Sequence, residues 1–290
     1  MISLWAMLVG VAIIAFTGLD LYLKRLSSSH DGTEIGYLMN LHTALYAFPV
    51  AIILLWFSEF QAMTPVVAVG LILAVLLNAV GIVLFMGALE REDISVVSPL
   101  GGLKPVFVAI AEPVLFRTGF DPILIAASLF AFFGGYIVLL DGPNLKKPLE
   151  RLRDTGPRLA LASTVVYAGL ALTDRYMTSV INPLAYGGII ALGVALALGY
   201  QLYKRHSTTA FDARVIFSRQ FLPLGPVRFV GLGAILFAFP LASATQTIIA
   251  MQAIPVLTVL VSGFALRESG LVQRGAGVMC IAFAVGVTAL

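Results

Sequence analysis

The 290-residue sequence is short of charge: Asp, Glu, Lys and Arg make up only 11% of it, against roughly a quarter of an ordinary soluble domain. That shortage excludes a conventional water-facing surface. Cysteine is nearly absent, and with Cys280 alone no intrachain disulfide can form. The three histidines, His30, His42 and His206, lie too far apart for metal-ligand spacing. No GxxxxGK(S/T) loop is present, which excludes ATP hydrolysis by this chain. No paired aspartate box for a diphosphate and Mg²⁺ appears. No Lys or Arg precedes Lys24, so the basic region of a secretory leader is missing and the first apolar run reads as a retained helix. Neither end carries a lipidation box. No cofactor and no metal are expected. The net charge of +3 is small and sits in loops, so nucleic acid is not an expected partner.

What is present is apolar sequence. Hydrophobic residues make up 60% of the chain and the mean hydropathy is +1.00. Ten apolar runs long enough for membrane crossing can be read, at roughly 2–23, 35–57, 65–87, 94–116, 121–140, 158–181, 183–203, 226–241, 244–266 and 270–290. The chain reads as an all-α, multi-pass protein of the cell membrane, with the lipid bilayer as its solvent. Most connections are short and marked by turn residues, as in Thr118-Gly119-Phe120-Asp121-Pro122 and Asn182-Pro183. Two are longer: Asp141–Pro157, holding Lys146, Lys147, Arg151 and Arg153, and Lys204–Pro226, which reads as an extramembrane hairpin or surface helix.

The fourth run is the centre of the pattern. It carries Pro99, Gly101, Gly102, Lys104 and Pro105 near its middle. Proline removes a backbone hydrogen bond and a glycine pair weakens the helix further. Such backbone belongs beside a cavity, because nothing in lipid re-satisfies the freed groups. The stretch recurs about 150 positions later: Ala88 falls on Ala238, Ser95 on Thr245, Pro105 on Pro255 and Arg117 on Arg267. The first run recurs as well, Phe16–Ser28 matching Tyr167–Ser179. The expected organisation is a first five-helix repeat at 1–140, a linker at 141–157 and a second repeat at 158–290. Five helices per repeat is an odd number, so the second repeat begins on the opposite face of the membrane. The expectation is two inverted repeats. Counting basic residues loop by loop loads the side after helices 1, 3, 5, 7 and 9, including Arg228. The positive-inside rule then puts both termini outside.

Several residues stand out by depth. Lys104 lies about 13 Å into the apolar core, where a cation costs about 2.5–3.5 kcal/mol without an offset. Two readings compete for it: an anchor for an anionic substrate group, or half of a structural ion pair. Asp174 is deep in the sixth run, with a coupling role weighed against a pair with Arg175. Asp20 is four residues before Lys24, the spacing of an ordinary interfacial pair. Asn78 and Gln252 are deep and uncharged, suited to interhelical bonding or to a substrate path. Tyr167, Tyr186 and Tyr46 are candidate cavity tyrosines, whereas Trp5, Trp56 and Tyr203 suit interfacial belts. Glu112 reads as a mouth residue. Asn40 and His42 read as a capped or solvated helix end, with a gating rim as the alternative. Glycines such as Gly18 and Gly188 suit close helix packing. Pro105, Pro255, Gly101 and Gly102 are the expected hinge. The substrate-binding set is therefore Lys104, Asn78, Gln252, Asp174, Asp20 and Tyr167.

At the paired Pro105 and Pro255 segments the sequence resembles the EamA-type transporters of the drug/metabolite transporter superfamily. The shared pattern is a small-residue helix end, a turn, Ser or Thr, a helix with a mid-membrane proline, and a basic-acidic turn. Here it reads Ala88, Ser95, Pro105, Arg117 and Ala238, Thr245, Pro255, Arg267-Glu268. Thr118 stands where the second copy has Glu268. The resemblance implies ten helices, a central cavity, cytoplasmic termini (against the loop charge) and alternating access for a small-molecule substrate. Without a phosphate-binding loop, the driving force is expected from a proton, an ion or the substrate's own gradient. An integral-membrane enzyme, or an assembly subunit acting on a lipid-linked partner, are the competing classes.

Overall fold

The computed structural model describes residues 3–57, 64–138, 153–206, 209–265 and 271–288. Lys146, Lys147, Arg151, Arg267 and Glu268 lie outside the described residues. Among the described residues every regular element is helical. The first three apolar runs form α1 (Leu4–Ser27), α2 (Gly32–Phe57) and α3 (Pro65–Leu89). The fourth breaks into α4 (Ile94–Leu100), a 3₁₀ turn at Gly101–Leu103, and α5 (Lys104–Phe116). Then come α6 (Pro122–Val138), α7 (Thr155–Val180) and α8 (Pro183–Lys204). A short α9 (Ala213–Ile216) precedes α10 (Leu224–Ala238), which runs into a 3₁₀ turn at Phe239–Leu241. The ninth run breaks like the fourth, into α11 (Ala244–Ala250) and α12 (Ala253–Ala265). α13 (Leu271–Thr288) is last. Among the described residues five segments are by themselves long and apolar enough to span a membrane: Leu4–Ser27, Gly32–Leu54, Pro65–Leu89, Pro183–Lys204 and Leu224–Leu241.

Local chemistry sets the ends. Ser3 accepts the Ala6 N–H at 3.2 Å to start α1, and Thr64 caps α3 ahead of Pro65 in the first turn. Asn182 caps α8 ahead of Pro183, accepting from the Leu184 N–H at 3.0 Å. These proline positions are ones where no intrahelical N–H is needed. The two broken helices follow the same logic. Pro105 sits in the first turn of α5, so the chain tightens into the 3₁₀ turn before it. Arg117 ends α5 in the left-handed region, with φ 55°.

The outer faces are apolar. Ile14, Val69, Val114 and Leu196 are each more than 60% exposed, an arrangement suited to lipid tails. Polar residues turn inward instead, and Asn40, Thr43, Asn78, Glu112, Arg228 and Gln252 are all buried. The main helix pairs join the two halves of the chain: α1 with α10, α2 with α8, α3 with α7, and α6 with α13. α4 packs on α12 and α5 on α11, so the two broken helices cross antiparallel. Close approach depends on small residues. A Cβ on Gly188 would lie 2.8 Å from the Ala47 carbonyl oxygen, so backbone meets backbone between α2 and α8. Gly18 differs from the packing expectation: a Cβ there would meet nothing within 4 Å.

Part of the Lys204–Pro226 connector packs into the protein interior. Phe221 is fully buried, and its carbonyl accepts from His42 Nδ1 at 3.0 Å. A Cβ on Gly225 would lie 2.6 Å from His42 Cβ. His42 stands ten residues into α2, or about 15 Å along it. α10 therefore begins deep, against the middle of α2. This also corrects the expectation for Asn40 and His42, which are 0% and 2% exposed rather than solvated.

Candidate functional site

The breaks in the fourth and ninth runs face a central cavity of about 270 Å³. Each residue expected at a substrate site lines it. Asp20 comes from α1, Asn78 from α3, and Lys104 from the first position of α5. Tyr167 and Asp174 come from α7, and Gln252 from the turn between α11 and α12. Tyr167 and Asp174 are two helical turns apart and so share a face. Of the expected hinge residues, Gly101 and Pro255 line the cavity, while Gly102 and Pro105 are buried beside it. A Cβ on Gly101 would meet nothing within 4 Å, so that glycine serves the turn and leaves the cavity open.

The site's polar groups are arranged around Lys104. Its ammonium lies 5.5 Å from the centroid of the Tyr167 ring, a cation–π distance. It interacts electrostatically with both Asp20 and Asp174, yet among the described residues no ion pair joins it to either. Asp174 accepts from the Tyr186 hydroxyl at 2.6 Å. Gln252 donates to the Ile248 carbonyl at 3.1 Å, and its own carbonyl oxygen has no partner among the described residues. Tyr46 departs from expectation: it is 46% exposed on α2 and does not line the cavity.

Arg228 belongs to this site, although loop counting assigns it to a connector. It lies in α10, is only 7% exposed, and lines the cavity. Its Nη2 approaches Asn78 Oδ1 at 3.5 Å. The sequence signal that points to it is the brevity of the eighth apolar run, preceded by Pro223, Gly225 and Pro226.

Two further corrections concern ion pairs. Lys24 does not pair with Asp20; it donates to the Leu89 and Glu92 carbonyls at 2.7 Å each. These carbonyls lie at the end of α3, and a lysine there satisfies acceptors left over by the helix. Arg175 does not pair with Asp174, because adjacent residues on a helix point to different faces. It pairs with Glu112 of α5. Glu112 is 3% exposed, so it is no open mouth residue. Its carboxylate accepts the Ala244 N–H at 2.9 Å and the Thr245 N–H at 2.7 Å, and takes the Thr245 hydroxyl as well. It thereby caps the N-terminus of α11, where negative charge is favoured, and binds α5 to α7 and α11 at one end of the cavity. Trp5 also ties to α11, donating to Thr247 Oγ1 at 3.1 Å.

Comparison with known proteins bears on this arrangement. Residues 1–140 match the EamA-like transporter family. No curated protein sequence is similar to the chain. One solved crystal structure superposes with a TM-score of 0.73 at 12% identity, covering 98% of this chain and 96% of the other. At that identity the likeness shows the fold alone.

Proposed function

We propose, from the premise that the chain is an EamA-type member of the drug/metabolite transporter superfamily and a multi-pass integral membrane protein, that it moves a small polar or charged metabolite by alternating access. The repeats at 1–140 and 158–290, joined by 141–157, are inverted copies. The substrate sits between them, near the membrane midplane, among Lys104, Asn78, Gln252, Asp174, Asp20 and Tyr167. The observation that carries this reading is the cavity lined by all six residues at the place where both broken helices are interrupted. A lysine flanked by two carboxylates, with room between them, suits a bound polar group better than a closed ion pair.

Pro105, Pro255, Gly101 and Gly102 form the hinge. The antiparallel crossing of the fourth and ninth segments supports this, since bending at the interruptions opens one end while closing the other. The Glu112 cluster joins the halves at one end of the cavity and holds that end shut. The driving force is a proton, an ion or the substrate's own gradient. Counterflow in proteoliposomes tests the function: accelerated uptake of labelled substrate against an internal load is expected. Cysteine labelling near residues 3 and 288 tests the topology. Labelling of these two positions from opposite faces would refute the inverted five-plus-five arrangement.

A further inference from the structure

We infer that Arg228 is the anchor for a carboxylate group of the substrate. This rests on the transporter reading for its setting and adds to it a residue and a chemical class. Four formally charged side chains line the cavity: Asp20, Asp174, Lys104 and Arg228. They are not equivalent. Lys104 has both carboxylates as electrostatic neighbours. Arg228 has no carboxylate partner among the described residues. Its Nη2 takes a long contact with Asn78, but Nη1 is buried with no hydrogen-bond partner among the described residues. A buried guanidinium with an unsatisfied N–H is costly, and helix α10 places it deep in the bundle, where snorkelling to an interface is blocked.

The chemistry of the missing partner follows. Arg228 Nη1 is a buried charged donor without a partner among the described residues, on a side chain that lines the cavity. Asn78 accepts the Nη2 contact with its amide oxygen, which leaves its amide NH₂ as a second, neutral donor. A carboxylate has two oxygens to match two donors, and charge-assisted bonds of this kind are the strong ones. A phosphate fits less well. The two acids and two bases that line the cavity cancel in formal charge, so a monoanion leaves the site at −1 and a dianion at −2, with the larger cost in a buried site. The cavity of about 270 Å³ suits a compact metabolite. Lys104, held between two acids, is then the centre of charge balance and not the principal anion anchor.

The test uses the purified full-length protein in nanodiscs. Thermal stability is measured with lactate and phenylalanine, each against its neutral amide, and with glycerol 3-phosphate. A ligand of the folded state raises the apparent melting temperature. The expected result is stabilisation by at least one carboxylate and none by its amide. Arg228→Gln should weaken that binding about ten- to a hundredfold, the loss of one charge-assisted hydrogen bond, and Arg228→Lys should restore part of it. Because Arg228→Gln alone leaves Asn78 Oδ1 without its partner, Arg228→Gln/Asn78→Leu serves as the folding control and should likewise not bind. Carboxylate binding that survives Arg228→Gln overturns the anchor. Stabilisation by glycerol 3-phosphate alone, by the amides as strongly as by the acids, or by no probe overturns the carboxylate class. Arg228-dependent binding without counterflow would refute the transporter reading and leave this site standing.

Discussion

Glu112→Gln is the sharpest perturbation of the proposed transport cycle. The wild-type carboxylate is buried, carries the ion pair with Arg175, and accepts two backbone N–H groups and one hydroxyl from the start of α11. Glutamine keeps the shape but loses the charge, and one acceptor oxygen becomes an NH₂ facing N–H donors. Removing one partner of a buried pair costs about 3–5 kcal/mol. The Arg175 side chain is 25% exposed, which moves the cost to the lower end, about 3 kcal/mol. All of these contacts join α5 to α7 and α11, so the loss falls on the state in which this end is closed. At 1.4 kcal/mol per tenfold, about 3 kcal/mol shifts the closed-to-open ratio on the order of a hundredfold. The readout is a cysteine in place of Ile248, a residue of α11 that lines the cavity, in a Cys280→Ala background. Labelling by an impermeant maleimide is measured from the face on which α5 ends. Its rate should rise steeply in Glu112→Gln, and Arg175→Met should do the same without adding to it, as expected of a coupled pair. An unchanged labelling rate in a folded Glu112→Gln protein would refute the latch.

Three further outcomes are expected. Gly188→Leu should destabilise the protein strongly, seen as a lowered melting temperature, because its Cβ alone would lie 2.8 Å from both the Ala47 carbonyl oxygen and Ala51 Cβ; Gly18→Leu, in open space, should leave the melting temperature near wild type. Alanine at Pro105 or Pro255 should change turnover in proteoliposomes more than substrate affinity, and normal turnover in both variants would remove the hinge. Lys104→Met should abolish transport while the protein still folds; if stability falls instead and Asp20→Asn restores it, Lys104 is half of a structural pair.

Much of the molecule is legible in its residues alone. Scarce charge and ten apolar runs specify a helical membrane protein, because backbone polar groups in lipid must be satisfied within the segment. Gly101, Gly102 and Pro105, and Pro255 in the ninth run, mark the helix breaks, because the backbone chemistry that interrupts a helix is local. Lys104, Asn78, Asp174 and Gln252 are marked by depth alone: a polar group far along an apolar helix is expensive wherever that helix packs, so it turns toward the interior. Tertiary structure decides the rest. Asp20 and Lys24 have the spacing of a pair, but Lys24 finds better acceptors at the end of α3. Arg175 bonds Glu112, 63 positions away, because helix rotation and the docking of α11 choose its partner. Arg228 reads as a loop cation because its depth is not a property of its own helix. That depth is set by the segment around Phe221 folding inward onto His42, and no local rule of periodicity or charge contains that contact.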